Sequence, residues 1–155
     1  MARVFIVYDT KYGNTKLVAE KIAEGIRESK GIETEVNDVK EVDLKKIAGS
    51  DAILIGAPNH MGNPSRTIMK FIDQLSKLEL KPKGVAVFDT YMGKDFEKAA
   101  KKMENRLREK VPALKLMTPG LSIRVDDMKG PITEGELPKC IEFGKKIAAQ
   151  LRTWQ

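Results

Sequence analysis

The chain carries very little of the side-chain chemistry on which metal sites and nucleophilic catalysis depend. One cysteine, Cys140, and one histidine, His60, stand among its 155 residues. A lone thiol cannot close an internal disulfide and suits a reducing compartment, so a cytoplasmic protein is expected. One histidine and one cysteine cannot supply the ligand spacing of a zinc site. No G-x-S-x-G elbow occurs, so hydrolysis by a Ser/His/Asp triad has no placed nucleophile for His60 to serve. Neither G-x-G-x-x-G nor G-x-x-x-x-G-K-S/T is present, which disfavours dinucleotide and nucleoside-triphosphate sites. Hydrophobic runs are short, and none approaches the roughly 20 residues of a membrane span. The chain enters its first strand without the pattern of a leader peptide. Repeats, linkers and low-complexity segments are also missing.

What is present describes an ordinary globule. Hydrophobic residues make up 41% and charged residues 32%. A chain of this length buries about two-thirds of its unfolded surface, and one domain over residues 1–155 is expected. Lys and Arg number 28 against 22 acids, leaving a net charge of +6. Lys94, Lys98, Lys101, Lys102, Arg106, Arg108 and Lys110 crowd one predicted helix, interspersed with Asp95, Glu97, Glu104 and Glu109. Mixed signs with no aromatic residues between them read as a solvated helix face, not as a nucleic-acid footprint. A basic surface steers acidic partners, and such association weakens as salt rises.

Apolar runs and helical periods alternate along the chain. Strands are predicted over 3–8, 32–37, 51–56, 84–88 and 114–125, the last broken near Pro119-Gly120. Helices are predicted over 14–29, over 43–48 with Asp43 as N-cap, and over 65–77, 95–110 and 135–151. Leu17, Val18, Ile22 and Ile26 fall on one side of the first of these. Five strands alternating with helices give an α/β fold, a parallel sheet covered on both faces. Ligands of such sheets sit outside the carboxyl ends of the strands.

The loop after the first strand is the most informative stretch. Val4 to Tyr8 is an unbroken apolar run bounded by polar residues, which reads as a strand buried on both faces. Asp9 to Thr15 then leads into a helix. The first N–H groups of a helix have no partner within it, and its dipole places about half a positive charge there, so this arrangement is an anion site. Thr10, Asn14 and Thr15 can add side-chain donors, and Gly13 lets the backbone approach closely or take positive φ. Hydrogen bonds to a charged group contribute about 1.5–3 kcal/mol each, enough together to hold a phosphate monoester without a cationic side chain. Taken alone, the same residues also fit a capped helix start.

Thr10-x-Tyr12-Gly13-Asn14-Thr15 after a buried first strand resembles the phosphate loop of flavodoxins, which bind FMN. The run from Cys140 to Ala148 is similar to the closing helix of the short-chain members of that family. The resemblance implies a three-layer sandwich with a five-stranded parallel sheet in the order 2-1-3-4-5, and FMN held where that order reverses, between strands 1 and 3. It implies phosphate contacts from Thr10, Lys11, Tyr12, Gly13, Asn14 and Thr15. Ring contacts are implied from Ala57, Pro58, Asn59, His60, Met61, Gly62 and Asn63, and from Asp89, Thr90, Tyr91, Met92 and Gly93. Met61-Gly62 resembles a flavin-facing turn whose glycine carbonyl rotates to accept a hydrogen bond from reduced flavin N5. The Gly62-Asn63 pair can itself form that turn, and Pro64 restricts Asn63 toward extended conformations. Tyr91 is placed to stack on the ring. His60 is read as a contact at the flavin edge or a solvent-facing residue, with proton donation as the alternative. Cys140, Met69, Met103 and Met117 read as core filler.

The implied function is an electron carrier shuttling between redox-protein donors and acceptors with acidic docking surfaces. It acts as a monomer or weak dimer, with no nucleic-acid or membrane partner. The flavin supplies the chemistry, and no side chain acts as acid, base or nucleophile. Gly62-Asn63 with Met69-x-Phe71-x-Asp73-Gln74 resembles, instead, the quinone reductases related to the tryptophan-repressor-binding protein. Those carry an extra segment near the fourth strand, for which about six residues before the next helix leave no room. A scaffold without flavin is the remaining alternative.

Overall fold

The computed structural model describes residues 2–81 and 83–154. In chain order the elements are β1 (Ala2–Tyr8), α1 (Asn14–Arg27), β2 (Ile32–Asp38), α2 (Leu44–Ala48), β3 (Ala52–His60), β4 (Asn63–Pro64), α3 (Arg66–Leu75), β5 (Lys83–Tyr91), α4 (Lys98–Lys110), β6 (Leu114–Leu116), β7 (Leu121–Arg124) and α5 (Leu137–Thr153). The sheet runs β2-β1-β3-β5, with β6 and β7 sharing the far edge of β5. All these pairings are parallel, and only the two-residue β4 runs antiparallel, against β3. The expected α/β sandwich and strand order are present.

Period-two alternation divides the sheet between two cores. Val4, Ile6, Tyr8, Leu54 and Phe88 face α1 and α5, while Phe5, Val7, Ile53, Ile55, Val85 and Val87 face α3 and α4. On α1 the buried stripe is Val18, Ala19, Ile22, Ala23 and Ile26. Leu17 was expected on that stripe but is exposed, because the 100° step from Val18 carries it to the solvent edge. Asp43 caps α2 as expected, accepting from the Lys45 N–H at 2.9 Å. Met103, Met117 and Cys140 are buried, and Met69 packs partly buried against the core.

Three strand boundaries differ from expectation for identifiable reasons. One is β5, which runs three residues past its predicted end because Asp89–Tyr91 pair with β7. The fifth strand is two short ones, since β6 pairs Lys83–Val85 and β7 pairs Phe88–Tyr91. Between them the Gly120 N–H leaves the sheet and donates to Glu104 Oε2 at 3.2 Å. Strand β3 runs four residues past its predicted end, because residues 59–64 form a hairpin with Asn59 opposite Pro64 and His60 opposite Asn63. Met61 at φ 52° and Gly62 at φ 85° are its central residues, as a type I′ turn requires. The turn therefore centres on Met61-Gly62 and not on Gly62-Asn63. Helix α4 begins three residues later than predicted, after a left-handed Glu97 at φ 61°.

Candidate functional site

At the carboxyl ends of β1, β3 and β5 the connecting loops enclose a cleft of about 320 Å³. Its volume lies at the small end of the range for small-molecule sites. Thr10, Lys11, Tyr12, Asn14 and Thr15 form one wall, and Pro58, Asn59, His60 and Met61 a second. Thr90, Tyr91 and Met92 form the third, and Val125 with Met128 closes the fourth.

The first wall is built around a left-handed Gly13 at φ 92°, whose N–H donates to Thr10 Oγ1 at 2.9 Å. No side chain caps α1, so the N–H groups of its first turn remain directed at the cleft end. The loop is thus not the capped helix start that its residues also allowed. Thr15 Oγ1 and Thr90 Oγ1 lie 3.0 Å apart, both buried, and tie this wall to β5. Tyr12 lines this wall, and its phenol donates toward Met128 Sδ at 3.8 Å.

The second and third walls are braced against each other. Asn59 Nδ2 donates to Asp95 Oδ2 at 2.8 Å, while Asn59 Oδ1 is buried without a partner. That bond and the Lys98 ammonium hold the Asp95 carboxyl below its usual range. The Tyr91 ring meets Phe96 edge to face, with centroids 5.5 Å apart. Burial, followed by the nearby Glu136 charge, pushes the Tyr91 phenol above its ordinary value.

Six of the implied site residues lie off the cleft surface. Gly13 contributes backbone geometry only. Ala57 is fully buried among the α3 and α4 side chains, one alternation out of phase with Pro58. Gly62 and Asn63 turn toward α4, where Asn63 Oδ1 accepts from Lys102 Nζ at 2.6 Å. Gly93 stands in open space. Asp89 points through the sheet to the opposite face from Thr90, accepts from the Ala100 N–H at 2.8 Å and is bonded by the Ser122 hydroxyl. The Ser122 oxygen in turn accepts from the Glu97 N–H at 2.9 Å, so the pair caps α4 from a distance. Burial pushes the Asp89 carboxyl up to about 6, outweighing the lowering effect of those two hydrogen bonds.

Val125 and Met128 were missed in the sequence. They belong to a second small hairpin, closed by a bridge between Val125 and Ile132 and by Asp126 N–H to Pro131 O at 2.9 Å. Gly130-Pro131 signals a turn locally, but nothing in the local sequence places its tip beside a loop more than a hundred residues earlier. Cys140 lies in the α5 core, where burial drives its thiol up to about 12 and Glu136 adds to the shift. Among the described residues no group of three or more His, Cys, Asp or Glu side chains could hold a metal ion. No helix there is long and apolar enough to cross a membrane.

The donor set suits a phosphate at one end and a planar ring in the middle, between an uncapped helix start and walls of Pro58, Tyr91 and methionines. Fold and cleft together define a ligand-binding α/β protein of the flavodoxin-like class. The chain belongs to the flavodoxin domain family, whose pattern it matches over residues 5–124. A flavodoxin of Aquifex aeolicus (strain VF5) is 36% identical over 75 residues, 48% of this chain and 40% of that protein. The coenzyme F420H(2) oxidase of Methanothermobacter marburgensis is 29% identical across 97% of this chain and 36% of its own length. The chain thus spans less than half the length of either relative. A solved flavodoxin from the domain Archaea superposes with a TM-score of 0.82 at 28% identity, covering 97% of this chain and 99% of that one.

Proposed function

We propose that residues 1–155 act as one FMN-binding domain that carries electrons between separate redox proteins in the cytoplasm. The observation that carries this reading is the meeting, in one cleft, of an uncapped helix N-terminus with an apolar slot walled by Tyr91. The first-turn N–H groups of α1, with Thr10 and Asn14, would hold the phosphate. Pro58 to Met61 and Thr90 to Met92 would flank the ring, and Val125 and Met128 would exclude water from its remaining side. Bound there, FMN supplies the redox chemistry, and the chain orients it and tunes its potential. His60 is exposed on the lip with no hydrogen bond orienting its ring among the described residues, so this reading gives it no proton-transfer step.

The partner surface follows from what surrounds the mouth. Met61, Met92, Phe96, Met128 and Tyr12 are exposed there, and contiguous exposed apolar groups mark interaction sites. Lys94, Lys98 and Lys102 border them on the α4 side, which favours partners with acidic docking surfaces. Transient docking of that kind suits a monomer or weak dimer. The quinone-reductase alternative is disfavoured by the connection from β5 to α4, residues 92–97, which has no room for an added substrate-pocket segment.

An anaerobic reductive titration of the FMN-loaded protein tests the reading. Two resolved one-electron steps are expected. A single two-electron step would move the assignment to the quinone reductase, and a protein that acquires no flavin absorbance would end the FMN reading.

A further inference from the structure

We propose that Asp89 takes up a proton when flavin bound in the cleft is reduced, which links electron carriage by this chain to pH. The inference rests on the FMN reading above. Asp89 is fully buried on β5, on the opposite face of the sheet from the cleft-lining Thr90. Its neighbours along and across the sheet carry the walls of the cleft. Thr90 follows it in the chain, one Cα step of about 3.8 Å away. Ala57 lies beside it on β3, next to Pro58, and Ser122 lies beside it on β7, in the strand that leads to Val125. The carboxyl therefore stands directly behind three of the four walls.

The contacts of Asp89 accommodate both of its protonation states. Oδ2 accepts from the Ala100 N–H at 2.8 Å, and Oδ1 faces the Ser122 hydroxyl. A hydroxyl can donate to a carboxylate or accept from a carboxylic acid, and its second lone pair still receives the Glu97 N–H at 2.9 Å. A proton on Oδ1 thus costs the carboxyl neither contact. Glu97 at the start of α4 and Asp95 in the connection before it both disfavour the anion. Among the described residues no ammonium or guanidinium lies within 4.0 Å of it. From β7 it meets a neutral hydroxyl and from β3 an alanine. The first-turn N–H groups of α4 favour the anion, but burial outweighs them and places the titration at about 6. Electrons entering the flavin bring negative charge up to the walls. A unit charge about 10 Å off, at an effective dielectric of about 20, raises a carboxyl pKa by about one unit. The electron comes from the donor protein, the proton comes from solvent and forms an O–H bond on Asp89, and no bond of the chain breaks.

The NMR shift of the Asp89 carboxyl carbon, followed against pH in the FMN-loaded protein, tests the linkage. The titration should centre at about 6 with oxidised flavin. With reduced flavin it should centre about one unit higher. By reciprocity, that tenfold gain in proton affinity is a tenfold gain in electron affinity on protonation, about 59 mV for one electron. Asp89→Asn keeps the position neutral at every pH. Wild type and variant should therefore share a potential at about pH 5, and the wild type should lie about 59 mV below the variant at about pH 8. A titration that centres at the same pH in both redox states overturns the linkage and leaves the FMN reading standing. A variant whose potential differs by the same amount at both pH values also overturns it, since the substitution would then act on the shape of the cleft. Wild-type protein that acquires no flavin overturns the linkage and the FMN reading together.

Discussion

Asp89 shows how far one strand position can carry a residue from the role its neighbours suggest. It sits between Phe88 and Thr90 at the end of the strand that walls the cleft, yet the pleat sends its carboxylate to the opposite face. There it compensates the start of α4, which has a left-handed Glu97 in place of a capping side chain. Burial raises its pKa from an ordinary 3.8 to about 6, so between those values the folded chain binds a proton that the unfolded chain does not. Its contribution is therefore fully present below about pH 4 and is lost as pH rises through about 6, a difference of about 3 kcal/mol. Asp89→Asn removes that dependence. Urea denaturation at pH 4.5 and pH 7 should show the variant gaining about 2 kcal/mol on the wild type across the interval. Parallel curves would show that Asp89 ionises in the fold as it does in the open chain.

At the scale of elements, the most constrained contact lies behind the site. Helices α1 and α5 cross where Gly25 meets Gly144, and a Cβ on Gly144 would lie 3.1 Å from Gly25 Cα and drive into the Ile22 carbonyl oxygen. Gly144→Ala must push the helices apart, and a loss of about 3 kcal/mol in unfolding free energy is expected, read as a lowered Tm. A wild-type Tm would mean that α5 slides to accommodate the methyl group. The sequence revealed this helix as an element and a family likeness, but not why a glycine stands at its centre, because the reason is another helix more than a hundred residues away. The same division runs through the site. The loop after β1 was legible as a strand–loop–helix start because the three are consecutive and each has a local signature in Val4–Tyr8, Gly13 and the α1 stripe. The Met61-Gly62 turn was legible through the family resemblance, while its residues alone pointed to Gly62-Asn63, since the two positive φ values fall on a Met-Gly pair and not on the usual Asn-Gly. Met128 and Lys129 were not legible at all, because only the packed structure lays their hairpin beside Tyr12 and Asn14.

For the molecule as a whole, the net charge of +6 matters less than where it falls. Much of α4's charge is engaged, with Arg106 gripping Asp73 through two hydrogen bonds of 2.9 and 2.8 Å. Lys94, just before that helix, and Lys98 and Lys102 in its first turns lie nearest the cleft, beside the tip of the hairpin, where Met61 is 96% exposed; Lys98 pairs with Asp95 at 3.1 Å and Lys102 donates to Asn63. A partner that brings its own redox centre to the cleft must approach past these charges. At about 10 mM ionic strength they act over roughly 30 Å, and near 1 M over about 3 Å. Stopped-flow reduction of the FMN-loaded protein by a small acidic ferredoxin should therefore slow steeply as salt is added. Changing all three lysines to glutamine should slow it about tenfold at low salt and flatten the salt response, since steering of this kind acts on the association rate. Oxidation of the reduced, FMN-loaded protein by a basic ferric cytochrome c should show the opposite trend, with faster transfer as its repulsion from the lysine edge is screened. A ferredoxin reaction that accelerates with salt would mean that acidic partners approach the cleft from the Asp126–Asp127 side, making the lysine edge a consequence of overall composition and not a docking surface.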